Sequence, residues 1–265
     1  MAFRELKPKR AAAGSSLRAV NTSVQSAWAA QRRKRIKDSL WWALPVTVVS
    51  GVVASAMTRH AYFGVGFAAL VLAALADLAY TKPDHVSVAG RRASGEAATA
   101  KAIKPLRFQG FTALHDRRLA SGTVNGIPPV DIEHLLIGPA GVFLLDSKNW
   151  LSGPKAQMIG DKLFVGMDNR EAMLKRLDLE AQNLTSALRR NLPRGVKVEP
   201  VLVVHAKELR PTPRFLDGVT ILMPEQFPSV FGQMRQVMTA TQAAKLAETL
   251  DRVLPARSGD KPLRK

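Results

Sequence analysis

Apolar and polar positions are spread very unevenly along this chain. From Ser39 to Met57 no side chain is charged, and after Thr58-Arg59-His60 a second apolar run, Ala61 to Tyr80, carries only Asp77. Each run is about 20 residues, the length a helix needs to cross a hydrocarbon core of roughly 30 Å. The short tip between them predicts a transmembrane hairpin of two helices over residues 39–80. Trp41, Trp42 and Tyr80 then fall at interfacial levels, and Asp77 sits in the last turn, where a charge is tolerated. A cleavable signal ending at Ala54-Ser55-Ala56 fits less well, because its basic region would be far too long and a second span follows at once. Buried helices of a soluble domain also fit less well, since two uncharged runs of spanning length rarely lie side by side in a soluble core. Gly51 with Ser55, and Gly64 with Ala68, have the small-xxx-small spacing that supports helix association.

Beyond Tyr80 the pattern becomes that of a folded domain. Residues 81–93 are polar and basic and read as a linker; Ser94-Gly95-Glu96 before an alanine-rich stretch reads as a capped helix start. Thr112 to Leu119 predicts a strand and Ser121 to Gly126 a turn. Two apolar runs, Asp131–Ile137 and Val142–Asn149, flank Gly138-Pro139-Ala140-Gly141 and predict an antiparallel hairpin. A turn centred between Pro139 and Ala140 sets Glu133 across from Asp146 and Asp131 across from Lys148. Side chains two apart share a face, so Glu133, Leu135, Ile137, Val142, Leu144, Asp146 and Lys148 point one way, while Ile132, His134, Leu136, Phe143 and Leu145 point the other. Both faces are mainly apolar, as in a strand pair covered on both sides.

A second short hairpin is expected over Met158–Val165. Asp168 to Asn191 follows as a helix with a capping-box-like Asp168 and Glu171 and an apolar stripe at Leu174, Leu177, Ala181, Leu184 and Leu188. Strands at Val198–His205 and Val219–Met223, helices near Pro224–Met234 and Thr241–Val253, and a basic tail, 256–265, complete the chain. The order of elements makes residues 94–255 an α/β domain with a mixed sheet.

The formal net charge of +18 over 265 residues favours polyanionic partners, either nucleic acid or an anionic membrane face. Residues 1–38 concentrate basic side chains and read as a disordered arm, either a binder of anionic lipid headgroups or nucleic acid, or simply a solvated topology signal. Basic residues before the first span, with Lys82, Arg91 and Arg92 after the second, outweigh Arg59 at the tip, which predicts both termini and the α/β domain on the cytoplasmic side. There is no cysteine, so thiolate metal sites and disulfides are excluded, and the five histidines have no zinc-site spacing.

Charges at one end of an apolar hairpin are costly unless paired, hydrogen-bonded or bound to metal. Glu133 and Asp146 on one face can share a cation, and Lys148 beside them can orient or deprotonate a water, while Glu96 can join if its helix packs on the hairpin. This set suits phosphodiester hydrolysis assisted by Mg²⁺ or Mn²⁺. A structural salt bridge of Lys148 with Asp131 or Asp146 is the competing explanation. Trp150 is placed either to stack on a base or to fill a strand end.

A carboxylate, a spacer, then carboxylate, any residue and lysine resembles the PD-(D/E)XK nuclease pattern. More narrowly, Gly95-Glu96, Ile132-Glu133-His134, Gly138-Pro139-Ala140-Gly141-Val142-Phe143, Asp146-Ser147-Lys148-Asn149 and Gly153 resemble the nuclease-related domain, the NERD family, over about residues 91–205. The resemblance implies a restriction-endonuclease-like fold and a DNA-cleaving site of Glu96, Glu133, Asp146 and Lys148, with Glu133, Asp146 and Glu96 toward the metal. Gln182 resembles a glutamine on the helix after the core of related nucleases. The family usually has Asp at the place of Glu133 and often Glu at that of Asp146, which alters the site's geometry by a methylene at each. The alternative function is a membrane-tethered, non-catalytic nucleic-acid-binding or adaptor module of the same fold.

Overall fold

The computed structural model describes residues 15–80, 84–119 and 129–256. The expected turn at Ser121–Gly126, residues 1–14 of the arm and the tail beyond Ala256 lie outside them. The described residues divide into two compact units, one within Val20–Gly90 and a second from Arg91 onward.

In the first unit, α1 (Ser15–Thr58) and α2 (Ala61–Tyr80) form a helical hairpin. Residues 15–38, expected as an irregular arm, are therefore helical. The physical reason is composition: alanine, glutamine, arginine and lysine are strong helix formers, and neither glycine nor proline interrupts the run before Pro45. Small residues let α1 and α2 meet. A Cβ on Gly64 would lie 1.8 Å from Ser55 Oγ and 2.3 Å from Gly51 O, and one on Gly51 would lie 3.2 Å from Ala68 Cβ. Trp41, Trp42, Val48, Val52, Tyr62, Val65 and Leu70 are left exposed. Among the described residues one helix holds a stretch long and apolar enough to cross a membrane, Trp41–Thr58, with mean hydropathy 1.4 and none of it buried; Ala61–Ala74 is a shorter apolar segment. By that measure α1 alone, of the two spans expected, has the length.

The linker expected at 81–93 and the helix start at Ser94 give way to one continuous helix, α3 (Asp84–Ile103). Ser94-Gly95 thus lies inside a helix, where glycine costs about 1 kcal/mol relative to alanine. Packing explains Gly95, since a Cβ there would sit 3.0 Å from Asn149 Cβ.

The sheet of the second unit has six strands in the order β1 (Thr112–Leu119), β2 (Val130–Gly138), β3 (Gly141–Asn149), β7 (Val198–His205), β9 (Val219–Leu222) and β8 (Arg214–Leu216). β3, β7 and β9 are parallel and the other pairings antiparallel, so the sheet is mixed as expected. Between β3 and β7 the chain builds a three-stranded sheet, β4 (Ala156–Ile159), β5 (Lys162–Val165) and β6 (Asp168–Asn169), and then α4 (Glu171–Ala187). α4 starts later than Asp168 because Asn169 Oδ1, not Asp168, accepts the Glu171 N–H, at 2.9 Å.

Both sheet faces are covered. Leu135, Ile137, Val142 and Leu144 pack with the α4 stripe of Leu174, Leu177, Ala181 and Leu184 and with Leu246 and Leu250 of the last helix, α6 (Ala240–Val253). Opposite them, Leu136, Phe143, Leu145, Val201 and Val203 pack with Ile103 of α3, Leu106, and Phe227 and Phe231 of α5 (Phe227–Gln233). Phe231 meets Phe111, Phe143 and Phe227 edge to face, the arrangement aromatic quadrupoles favour.

Candidate functional site

The β2–β3 ladder pairs Gly138 with Gly141 and His134 with Leu145, the register expected from the Pro139-Ala140 turn. One step further, the carboxylate of Glu133 takes the place of a strand partner: its Oε2 accepts the Ser147 N–H at 3.1 Å. On β3, Lys148 Nζ donates to Asp146 Oδ2 at 2.5 Å. Asp131 is held instead by Arg118 Nε at 2.8 Å, so of the two pairings open in the sequence Lys148 makes the one to Asp146. β7 runs parallel to β3 with Val204 beside Lys148, which puts these charges at the carboxyl ends of two parallel strands, the usual ligand position in open α/β sheets.

α3 brings the other half. Arg92, Gly95, Glu96, Thr99 and Ile103 recur at helical spacing on one stripe. Polar contacts fasten that stripe to three strands. Asn149 Nδ2 donates to Ser94 Oγ at 2.8 Å, and Ser147 Oγ donates to Thr99 Oγ1 at 2.8 Å, itself 2.7 Å from His205 Nε2. His134 Nε2 lies 3.3 Å from the Glu96 carbonyl oxygen. Glu96 is buried to 1% exposure in this interface. One turn earlier, an Arg92 guanidinium nitrogen donates to Glu133 Oε1 at 3.1 Å.

The electrostatics follow from this crowding. Burial, and then the charge of Asp146, push the Glu133 carboxyl above its ordinary range, while Lys148, Arg92 and the Ser147 N–H pull the other way. Burial works against the Arg92 charge, yet Glu133, Asp146 and Glu96 outweigh it and raise the Arg92 pKa. One guanidinium thus feels all three carboxylates. Among the described residues no group of three or more ligating side chains is set to hold a metal ion. Two carboxylates suffice for Mg²⁺, which keeps several waters and takes one or two protein oxygens with substrate phosphates. Glu133 and Asp146 fit that demand: both are hard oxygen donors, and the charge of Asp146 makes that of Glu133 harder to carry.

Residues 91–205 match the family model of the nuclease-related domain, NERD. Over this segment the chain is similar to nuclease-related domains. No curated protein and no solved structure matches the chain.

The remaining candidates fall elsewhere. Gln182 is exposed and donates to Asp178 Oδ2 at 2.7 Å on the same helix, so the cluster does not include it. On α4, Glu180 pairs with Arg176 at 3.6 Å, and its carboxyl is raised, by burial first, with Asp146 and Asp131 adding to the rise and Arg176 and Lys148 opposing it. The sequence carried a signal for it: Glu180 lies between Leu177 and Leu184 at the i+3, i+4 positions of a buried stripe. Arg92 had a signal too, four residues before Glu96, but it counts only if the helix extends back through residue 92. The Trp150 side chain packs partly buried against the core, and its backbone N–H donates to the His205 carbonyl oxygen at 2.8 Å.

His134 is fully buried on the face opposite Glu133, with its Nδ1 2.8 Å from His115 Nδ1. Because Nε2 faces a carbonyl oxygen, it carries the hydrogen, and Nδ1 then accepts from His115. A proton added at Nδ1 would set two donors against each other. Burial, reinforced by His115, holds the His134 pKa down to about 3.

Proposed function

We propose that this protein is a membrane-anchored, metal-dependent nuclease acting on DNA, with Glu133 and Asp146 as metal ligands and Lys148 and Glu96 completing the site. The observation that carries the reading is the pair of contacts that holds Glu133 on the Ser147 N–H and Lys148 on Asp146 at the carboxyl ends of β3 and β7, with α3, which carries the buried Glu96, fastened to the same strands. A bound Mg²⁺ or Mn²⁺ supplies charge neutralisation at the phosphoryl oxygens. Asp146 Oδ2 holds the Lys148 ammonium, which donates to the attacking water and orients it, the water's proton passing to bulk solvent. The Ser147 N–H fixes Glu133, and α3 keeps bulk water from the inner side of the site.

The exposed apolar side chains of α1 and α2 support anchoring, because an uncovered apolar surface of this size is unfavourable in water. Their small-residue crossing supports a hairpin of two spans, and the excess of basic residues outside it supports both termini, and the nuclease-related domain, on the cytoplasmic side.

The full chain in detergent micelles, incubated with plasmid and single-stranded DNA, is expected to cleave only when Mg²⁺ or Mn²⁺ is present. Asp146→Ala and Lys148→Ala should each lower the rate by about a hundredfold or more. Cleavage at the wild-type rate in both variants refutes the site. Salt-dependent DNA binding with no cleavage under any metal leaves the non-catalytic binding module instead.

A further inference from the structure

Arg92 has no role in the chemistry above, yet it occupies the place in the cluster that matters most for a cation. Glu133 has two carboxylate oxygens. Ser147 N–H takes Oε2, and the Arg92 guanidinium takes Oε1, the oxygen left for a positive ligand. The arginine side chain is 55% exposed and its partner 10% exposed, so the guanidinium closes the carboxylate off from the solvent side. Asp146 and Glu96 also lie within its electrostatic reach. In the free protein this contact has a clear purpose, since a buried carboxylate beside a second one is strongly unfavourable without a counter-charge.

We propose that Arg92 is a resident counter-ion which a divalent cation must displace from Glu133 Oε1, so that metal binding and release of the guanidinium are a single exchange. The proposal rests on the metal-dependent nuclease reading. Two positive groups on one carboxylate oxygen repel and divide its charge between them, so each weakens the other's hold on Glu133 Oε1. The arginine holds the site in a closed, charge-balanced state. A 2+ ion replaces its charge and adds one more against the remaining carboxylates. The freed side chain then stays at the solvent-facing edge of the site, carrying a planar fork suited to phosphate oxygens.

Mn²⁺ alone is the probe, added to the full chain in detergent micelles, with free Mn²⁺ read from its paramagnetic resonance signal. Removing a part-exposed, charge-assisted bond should change affinity by about tenfold. Arg92→Gln is therefore expected to bind Mn²⁺ about tenfold more tightly than wild type, and Arg92→Lys, which keeps the charge but not the fork, to fall between them. In the Glu133→Gln background, Arg92→Gln should produce no gain. Thermal unfolding checks each fold, and Arg92→Lys carries the test if Arg92→Gln does not fold. If Arg92→Gln matches or weakens wild-type affinity while Glu133→Gln abolishes binding, Arg92 is only a tie between α3 and β2; the proposal then fails and the metal site stands. If Glu133→Gln also leaves binding unchanged, both fail.

Discussion

Replacing His134 by glutamine tests how α3 is held on the sheet. His134 is neutral in the folded protein, with its pKa held to about 3 by burial and by the facing His115. In the unfolded chain an imidazole titrates near 6.5. Above that value neither state binds the proton, and the histidine imposes no pH dependence. As pH falls below it, the unfolded chain gains a proton that the folded protein refuses, so stability is lost at about 1.4 kcal/mol per pH unit until the folded pKa is reached. Between about pH 7.5 and pH 5 the loss from His134 alone amounts to about 2 kcal/mol. His115 and His205, both lowered by burial, add losses of the same sign. The assay is urea unfolding of the full chain in micelles with EDTA present, followed by hydrogen-exchange protection of the β2 and β3 amides so that the sheet is read separately from the helical hairpin. His134→Gln should be less stable than wild type near pH 7.5 yet lose about 2 kcal/mol less on acidification. An identical loss in the two proteins refutes the neutral, His115-paired His134.

Two further outcomes concern glycines. Gly64→Leu should separate α1 from α2, because its Cβ would fall 1.8 Å from Ser55 Oγ, whereas Gly66→Leu, with nothing within 4 Å, should leave the hairpin intact; disulfide trapping between cysteines placed on the two helices distinguishes them. On α3, Gly95→Ala meets Asn149 Cβ at 3.0 Å, so overpacking of about 1–3 kcal/mol outweighs the helix-propensity gain. Gly90→Ala, whose nearest neighbour is 3.9 Å away, should instead stabilise by about 0.5–1 kcal/mol. Melting temperatures of the two variants should move in opposite directions.

The hairpin register was legible because alternation and the Pro139-Ala140 turn point to one pairing, and a slip by one residue would turn Glu133 and Asp146 to the other face. Covered faces, the mixed sheet and the β7 strand were legible for similar reasons, since long apolar runs leave few alternatives. The start of α3 was not. Gly90 and Ser94-Gly95 look like breaks when read locally, and only the close approach of Asn149 shows why a helix tolerates glycine there. That misplacement also hid Arg92, because an arginine in a linker has no fixed partner, whereas an arginine one helical turn before Glu96 does. Gln182 was chosen by resemblance to related nucleases. Glu180, two residues away, is instead the α4 carboxyl that feels the charges of Asp146 and Lys148.

The lengths of the two acidic side chains fit the way the strands part. Below His134 and Leu145 the ladder stops, and Ser147 N–H needs an acceptor that a backbone no longer provides. Glu133 has the extra methylene to cross that gap and still turn its second oxygen toward Arg92. Asp146 needs no such reach, because its partner Lys148 lies two residues along the same strand. A short carboxylate at 133 would leave the Ser147 amide unsatisfied, and a long one at 146 would compete with it for the space Glu133 crosses. The exchange of lengths relative to the usual family pattern is therefore a compensated pair: the longer arm on β2 reaches both the Ser147 amide and Arg92, and the shorter one on β3 meets Lys148.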